Sequence, residues 1–170
     1  MTESEVADLT TKAKERISAG EYSDAEYFFK QITKIDPNNW QAWYGRGLCF
    51  KRLLSYERAI YCFDQVSKIN PEFAKGWYNL GFCQSQIGLL EDAIFHLNRS
   101  LKIDASFSIA MVIKAWIFKE HDNNVGAAKM IKHVRENYPE FLVKLENKTV
   151  SDEAVDFQIA YQLLLEDNSQ

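Results

Sequence analysis

The residues that could perform chemistry are few, and their spacing does not form a site. His96, His121 and His133 include no His-x3-His pair, the spacing that would place two imidazoles on one helix face to hold a metal ion. The sequence contains no glycine-rich phosphate-binding loop, and the carboxylates do not cluster on the helix faces that are predicted below to form a groove. We therefore predict no catalytic residues, no metal site and no cofactor, and we expect that the chain is not an enzyme.

The three cysteines also lack the spacing of a functional site. Cys49, Cys62 and Cys83 are odd in number and contain no CxxC motif, which argues against a disulfide framework and a zinc site. We interpret them as small residues of the hydrophobic core.

Composition narrows the class of protein. The chain has 170 residues, of which 46% are hydrophobic and 26% charged, as in one ordinary folded domain. Only three prolines and seven glycines are present, which favours long helices with short connections. The net charge of −4, concentrated in residues 151–170, argues against nucleic acid as a partner. The start resembles no signal peptide and no stretch is apolar enough to span a membrane, so we expect a cytoplasmic protein.

A repeat of 34 residues organises the sequence. Each repeat has an alanine column and, four residues later, a large apolar column. Earlier in each repeat, another large apolar residue stands four positions before a small one. These four columns are Ala25, Ala59, Ala93 and Ala127; Phe29, Phe63, Leu97 and Ile131; Leu9, Trp43, Trp77 and Met111; and Ala13, Gly47, Gly81 and Ala115.

This pattern resembles the tetratricopeptide repeat, W-x2-L-G-x2-Y…A-x3-F…P. The unit that matches best reads Trp43, Arg46, Gly47, Phe50, Ala59, Phe63 and Pro71. The resemblance implies an all-α fold, a right-handed α-solenoid of stacked antiparallel helix pairs. We predict one repeat domain over residues 1–170, with repeats at 6–39, 40–73, 74–107 and 108–141.

Local signals place two helices in each repeat. The best-marked pairs are Trp40–Leu53 with Tyr56–Ile69, and Ala74–Ile87 with Leu90–Ile103. Gly20 and Gly88 stand between paired helices, where the chain favours a left-handed conformation. After a connector at 142–150, a C-terminal helix is predicted at about 151–167. It either caps the last repeat or lies in the groove of its own chain or of a neighbouring one.

The resemblance also implies that the first helix of each pair lines a concave surface. Away from the packed columns, these helices carry a largely apolar set of side chains, which we predict to be an exposed groove for a partner. The predicted partner-binding residues are Tyr44, Leu48, Lys75, Tyr78, Asn79, Phe82, Ile109, Val112 and Trp116, with Ile113 beside them. For Ile109, Val112, Ile113 and Trp116, burial by the C-terminal helix or by shifted packing is an equal alternative.

The function expected from this surface is that of an adaptor or scaffold that binds a partner helix or an apolar peptide. Some tetratricopeptide proteins hold the C-terminal carboxylates of chaperones with a clamp of lysine, arginine and asparagine side chains. In either of the two possible alignments of that clamp, this sequence matches at one position only, Lys75 or Asn79. An adaptor of that type is therefore not expected. One alternative is a self-assembling structural protein, a possible homo-oligomer, whose C-terminal helix fills a groove. Another is a chaperone or regulatory subunit that shields an apolar partner.

Overall fold

The computed structural model describes residues 3–146, which contain nine helices and no strand. They are α1 Glu3–Ser18, α2 Tyr22–Ile35, α3 Trp40–Arg52, α4 Tyr56–Ile69, α5 Ala74–Gln86, α6 Leu90–Ile103, α7 Ser108–Glu120, α8 Asn124–Asn137 and α9 Pro139–Glu146. The four helices with the clearest sequence signals lie where they were predicted, to within one residue at each end. The all-α prediction is confirmed.

The chain divides into two compact units, Met1–Ala93 (unit 1) and Ile94–Gln170 (unit 2). In unit 1 each of the helices α1 to α4 packs against the next one along the chain, so that the series ends at α5. In unit 2 the same holds for α7 with α8 and for α8 with α9. Short turns between successive helices make these neighbours antiparallel. The single domain over 1–170 stays a prediction.

The turns inside the helix pairs repeat one backbone conformation. Gly20, Leu54, Gly88 and Asp122 stand 34 residues apart, and their φ angles are 76°, 56°, 79° and 57°. A left-handed residue after a helix lets the last amides bond back to carbonyls of the final turn. Ser55 N, for example, donates to Phe50 O at 2.9 Å. The expected conformation of Gly20 and Gly88 is confirmed, and the same position tolerates a leucine and an aspartate.

The repeat columns form the core. The alanine column is 0–3% exposed, and the large apolar column four residues later is 0–6% exposed. Gly47 shows why small residues recur, since a Cβ atom there would lie 2.6 Å from the ring of Phe63. The ring therefore packs directly on the α3 backbone, which brings α3 and α4 close together.

The tryptophans of the repeat tie each first helix to the preceding turn. Trp43 Nε1 donates to Pro37 O at 2.8 Å, and one repeat later Trp77 Nε1 donates to Pro71 O at 2.8 Å. Both bonds give the indole N–H a partner and hold the turn against its helix.

The structure describes only part of the C-terminal region for which predictions were made. Helix α9 occupies 139–146, so the beginning of the expected connector is helical, and Pro139 is its first residue, where no N–H donor is needed. The expected C-terminal helix at 151–167 lies outside the described residues. Among the helices that the structure describes, none is long and apolar enough to cross a membrane.

Candidate partner-binding surface

The predicted groove residues of unit 1 differ sharply in exposure. On α3, Tyr44 and Leu48 are half-buried, and on α5 Lys75 is exposed. Tyr78, Asn79 and Phe82, also on α5, are 0% exposed. Only the first three present atoms that an incoming chain can reach.

A polar network explains the burial of Asn79. Its Nδ2 donates to Tyr44 Oη at 3.2 Å and to Lys75 O at 2.9 Å, while its Oδ1 accepts from Lys51 Nζ at 2.8 Å. Lys51 itself is 7% exposed. Because each of these polar atoms has a partner, the buried amide is stable without water. The network joins α3 to α5 and fixes the hydroxyl of Tyr44.

The expected exposure of Tyr78 and Phe82 is wrong. The ammonium of Lys51 lies 5.5 Å from the ring centroid of Tyr78 and 4.4 Å from that of Phe82, as in cation–π pairs. Tyr56 of α4 packs edge-on against Phe82, with 6.5 Å between the ring centroids. Helix α5 is buried on nearly all sides, so these aromatics belong to internal packing.

In unit 2, the alternative of burial is the correct one for most of the predicted residues. Ile109, Val112 and Ile113 are 5%, 0% and 0% exposed, and Trp116 is half-buried. Helix α7 is apolar around most of its circumference and buries eight of its thirteen residues. A helix of that kind is an interior helix rather than the wall of an open groove.

An aromatic cluster beside Tyr44 was not predicted. Phe73 packs against Trp40 with 4.7 Å between ring centroids, and against Tyr44 edge-on at 5.1 Å. All three side chains are half-buried. One signal was available, because phenylalanine recurs at 73, 107 and 141 outside the signature columns. The accessible part of the candidate surface is this aromatic cluster (Trp40, Tyr44 and Phe73) with Leu48 and Lys75.

The cysteines are confirmed as core residues. Cys49, Cys62 and Cys83 are free thiols and at most 1% exposed. Burial raises the pKa of Cys49 to about 12, with a smaller contribution from the negative charge of Glu26. Burial likewise raises the pKa of Cys62 to about 12. Since the thiolate is the nucleophile and the metal ligand, both groups are inert at neutral pH.

The histidines do not assemble either. His121 and His133 are exposed, and His96 lies against Phe95 with 5.1 Å between ring centroids. Across residues 3–146, no group of three or more His, Cys, Asp or Glu residues could hold a metal ion.

Comparison with known proteins identifies the repeat. The family model described as "Tetratricopeptide repeat" matches residues 74–107. This segment is a tetratricopeptide repeat (TPR). Its bounds coincide with the third repeat predicted from the sequence, and the predicted resemblance is confirmed. A comparison with curated protein sequences gives no match.

Solved structures with the same fold cover most of the chain. A crystal structure of the MamA protein is 18% identical, covers 98% of this chain and 96% of its own, and has a TM-score of 0.77. The first TPR of Spaghetti (RPAP3), bound to an HSP90 peptide, is 18% identical over 72% of this chain and 97% of its own, with a TM-score of 0.68. The Yersinia enterocolitica type III secretion translocator chaperone SycD is 16% identical over 72% and 89%, with a TM-score of 0.67. At these identities the likeness establishes the TPR-like α-solenoid fold alone and carries no role and no partner across.

Proposed function

We propose that this TPR protein is an interaction adaptor that binds an apolar helix or an extended apolar peptide at the aromatic cluster of unit 1. The observation that carries the proposal is the half-buried state of Trp40, Tyr44 and Phe73, in which the ring of Phe73 contacts the other two rings. Aromatic anchors of this kind bury a large area on binding at low entropic cost. Two of the similar structures support such a role, since the RPAP3 repeat is bound to a peptide and SycD is a chaperone.

Preorganisation favours Tyr44 as the centre of the surface. Its hydroxyl is held by Asn79 Nδ2, and its ring packs on Phe63 with 5.7 Å between centroids. A side chain that is already fixed loses little freedom when a partner binds. Leu48, one helical turn along α3, extends the apolar contact. Lys75 places an exposed cation at the edge of the surface, where an acidic residue beside the partner's apolar segment would pair with it.

The buried residues of the same face have a different role. Asn79 positions the hydroxyl of Tyr44, whereas Tyr78 and Phe82 pack against Lys51 of α3 and so hold α5 against α3. In this proposal none of the three contacts the partner. The partner-binding set proposed for unit 1 is therefore Trp40, Tyr44, Leu48, Phe73 and Lys75. In unit 2, Trp116 is the one predicted residue that is more than marginally exposed, and we propose it as a separate contact.

A displayed peptide library selected against the full chain tests this proposal. The peptide enriched most strongly is then titrated by calorimetry against the wild type and against Tyr44→Ala. We expect an apolar peptide whose affinity falls about tenfold in the variant, a loss of about 1.4 kcal/mol. The melting temperature should fall, because Tyr44 packs on Phe63 and accepts a hydrogen bond from the buried Asn79. The titration is therefore made at a temperature at which circular dichroism shows the variant to be folded.

Tyr27→Ala is the matched control, since Tyr27 is 57% exposed on α2 of the same unit. It should leave the affinity for the selected peptide unchanged. Equal affinity in wild type and Tyr44→Ala, or a loss in Tyr27→Ala instead, would place the binding surface elsewhere.

A further inference from the structure

A second concave surface lies in unit 1, between α2, α3 and α4. It is a cleft of about 470 Å³, within the range of small ligand and peptide side-chain sites. None of the aromatic cluster residues lines it. The cleft is therefore distinct from the surface proposed above.

One wall of this cleft is apolar. Phe50 and Cys62 contribute nearly buried atoms, at 9% and 1% exposure. Tyr61 stands at the rim with 58% of its surface exposed, although its ring packs edge-on against Trp43 with 5.7 Å between centroids. A large aromatic that is both anchored and exposed is the residue type that interfaces use most.

The charges of the cleft are unbalanced towards the positive. Arg46 and Glu26 neutralise each other at 2.8 Å, with side chains only 14% and 15% exposed. That pair leaves two cations, Lys30 and Arg58, against one carboxylate, Glu57. In the part of the chain that the structure describes, neither Lys30 nor Arg58 forms an ion pair. A net positive cleft in a chain of net charge −4 selects for an acidic ligand.

Arg58 lies where its guanidinium could bind a carboxylate of a ligand in the cleft. Its guanidinium lies 5.6 Å from the ring centroid of Phe50, over the apolar wall. A cation–π contact of this kind restrains the guanidinium while its N–H groups remain able to bind a carboxylate in bidentate fashion. Lys30, on α2, supplies the second cation as an exposed point charge.

We infer that this cleft binds an acidic peptide segment that carries one large apolar side chain. The apolar side chain packs on Phe50 and Tyr61, and the flanking carboxylates pair with Arg58 and Lys30. Because no residue is shared with the aromatic cluster, this inference does not rest on the function proposed there.

Three fluorescent pentapeptides test the assignment on the full chain. The first has one phenylalanine between two pairs of glutamates, the second replaces the glutamates with lysines, and the third replaces the phenylalanine with alanine. Fluorescence anisotropy should show binding of the first peptide, at least about tenfold weaker binding of the other two, and weakening as salt is added. Amide NMR shifts on addition of the first peptide should centre on residues 58–62.

Variants of the protein make the test specific. Arg58→Ala and Tyr61→Ala should each lower the affinity for the acidic peptide by about tenfold or more. The matched controls are Lys34→Ala, on the same helix as Lys30 but outside the cleft, and Tyr27→Ala, an equally exposed tyrosine. Both should bind as the wild type does. Tyr44→Ala should also bind the acidic peptide normally, which separates this inference from the proposed function.

Several results would overturn the inference. The lysine peptide could bind as tightly as the glutamate peptide, or Arg58→Ala and Tyr61→Ala could bind like the wild type. NMR shifts confined to other residues would place the site elsewhere. Shifts of residues 58–62 on dilution of the peptide-free protein would make a second copy of the chain the occupant instead of a peptide.

Discussion

Single residues show how burial decides the chemistry of this chain. Cys49 and Cys62 lie on α3 and α4 of unit 1, and both thiols are kept neutral because the folded chain excludes water from them. Burial acts on a charged group in a different way. The buried ammonium of Lys51 donates a hydrogen bond to Asn79 and lies against the rings of Tyr78 and Phe82, which replace part of the water that it loses. The protonation and the accessibility of these side chains therefore depend more on the groups around them than on the residue type.

The two thiols predict a loss of stability in alkaline solution. In the unfolded chain a cysteine loses its proton near pH 9, whereas the folded protein holds both protons up to about pH 12. Above pH 9 the unfolded state therefore binds fewer protons, and the free energy of unfolding falls as the pH rises towards 12. By pH 10 the loss should be roughly 1 kcal/mol for each thiol.

Urea unfolding between pH 8 and pH 10 measures this effect. The Cys49→Ala/Cys62→Ala variant supplies the control, since other groups titrate equally in both proteins. The variant should lose less stability over this interval than the wild type. Parallel pH profiles for the two proteins would contradict the assignment.

At the scale of the elements, the 34-residue period fixes helix ends as well as core contacts. The left-handed position after the first helix of each pair recurs at Gly20, Leu54, Gly88 and Asp122. A non-glycine residue there places its Cβ too close to the following carbonyl, at a cost of roughly 1–2 kcal/mol. The chain keeps the conformation at Leu54 because the turn it completes positions α4 against α3.

Leu54→Gly should therefore stabilise the protein. The relief of strain exceeds the extra entropy that glycine gives the unfolded chain, so we expect a gain of about 0.5–1 kcal/mol. Leu54 is 60% exposed, which limits any loss of packing. Chemical denaturation at fixed pH gives the measurement.

Gly88→Ala is the reciprocal control. Apart from the adjoining residues of the turn, a Cβ at Gly88 would meet no atom within 4 Å, so its φ of 79° is the source of any strain. This variant should lose stability by about 1 kcal/mol. A gain in Gly88→Ala, or a loss in Leu54→Gly, would mean that backbone strain does not govern these turns.

At the scale of the whole molecule, the chain consists of two compact units, Met1–Ala93 and Ile94–Gln170. Repeat proteins owe their stability to contacts between neighbouring helices. A substitution in the core therefore destabilises the helices around it more than distant ones. Phe63 in unit 1 and Ile131 in unit 2 occupy the same repeat column and are 0% and 3% exposed. They are matched sites for testing how stability is distributed.

Phe63→Ala should cost about 3–5 kcal/mol and Ile131→Ala about 2–5 kcal/mol. In native-state hydrogen exchange, Phe63→Ala should accelerate the amides of α3 and α4 more than those of α8, and Ile131→Ala should do the reverse. Equal acceleration of all protected amides in both variants would show instead that the chain opens as one cooperative unit.

The sequence by itself determined the repeat, the helices and the core columns. Trp43, Gly47, Ala59 and Phe63 recur with their counterparts at one period, and a helix pair can bury those side chains in only one general way. Local signals such as Gly20 and Gly88 also place the turns, because φ above zero has a strong residue preference. These features depend on neighbours along the chain or one repeat away.

Only the tertiary structure decided which face residues are accessible. Tyr44 and Tyr78 occupy the same repeat position, yet one is half-buried and the other is fully buried. Lys51 of α3 contributes to this difference, because its ammonium lies against the rings of Tyr78 and Phe82 and donates a hydrogen bond to Asn79. The positive cleft was equally hidden, since Lys30, Arg58 and Tyr61 come from two helices. The exposed fraction of a side chain depends on all the atoms packed around it, including those of distant residues. The periodicity of a single sequence does not predict those contacts.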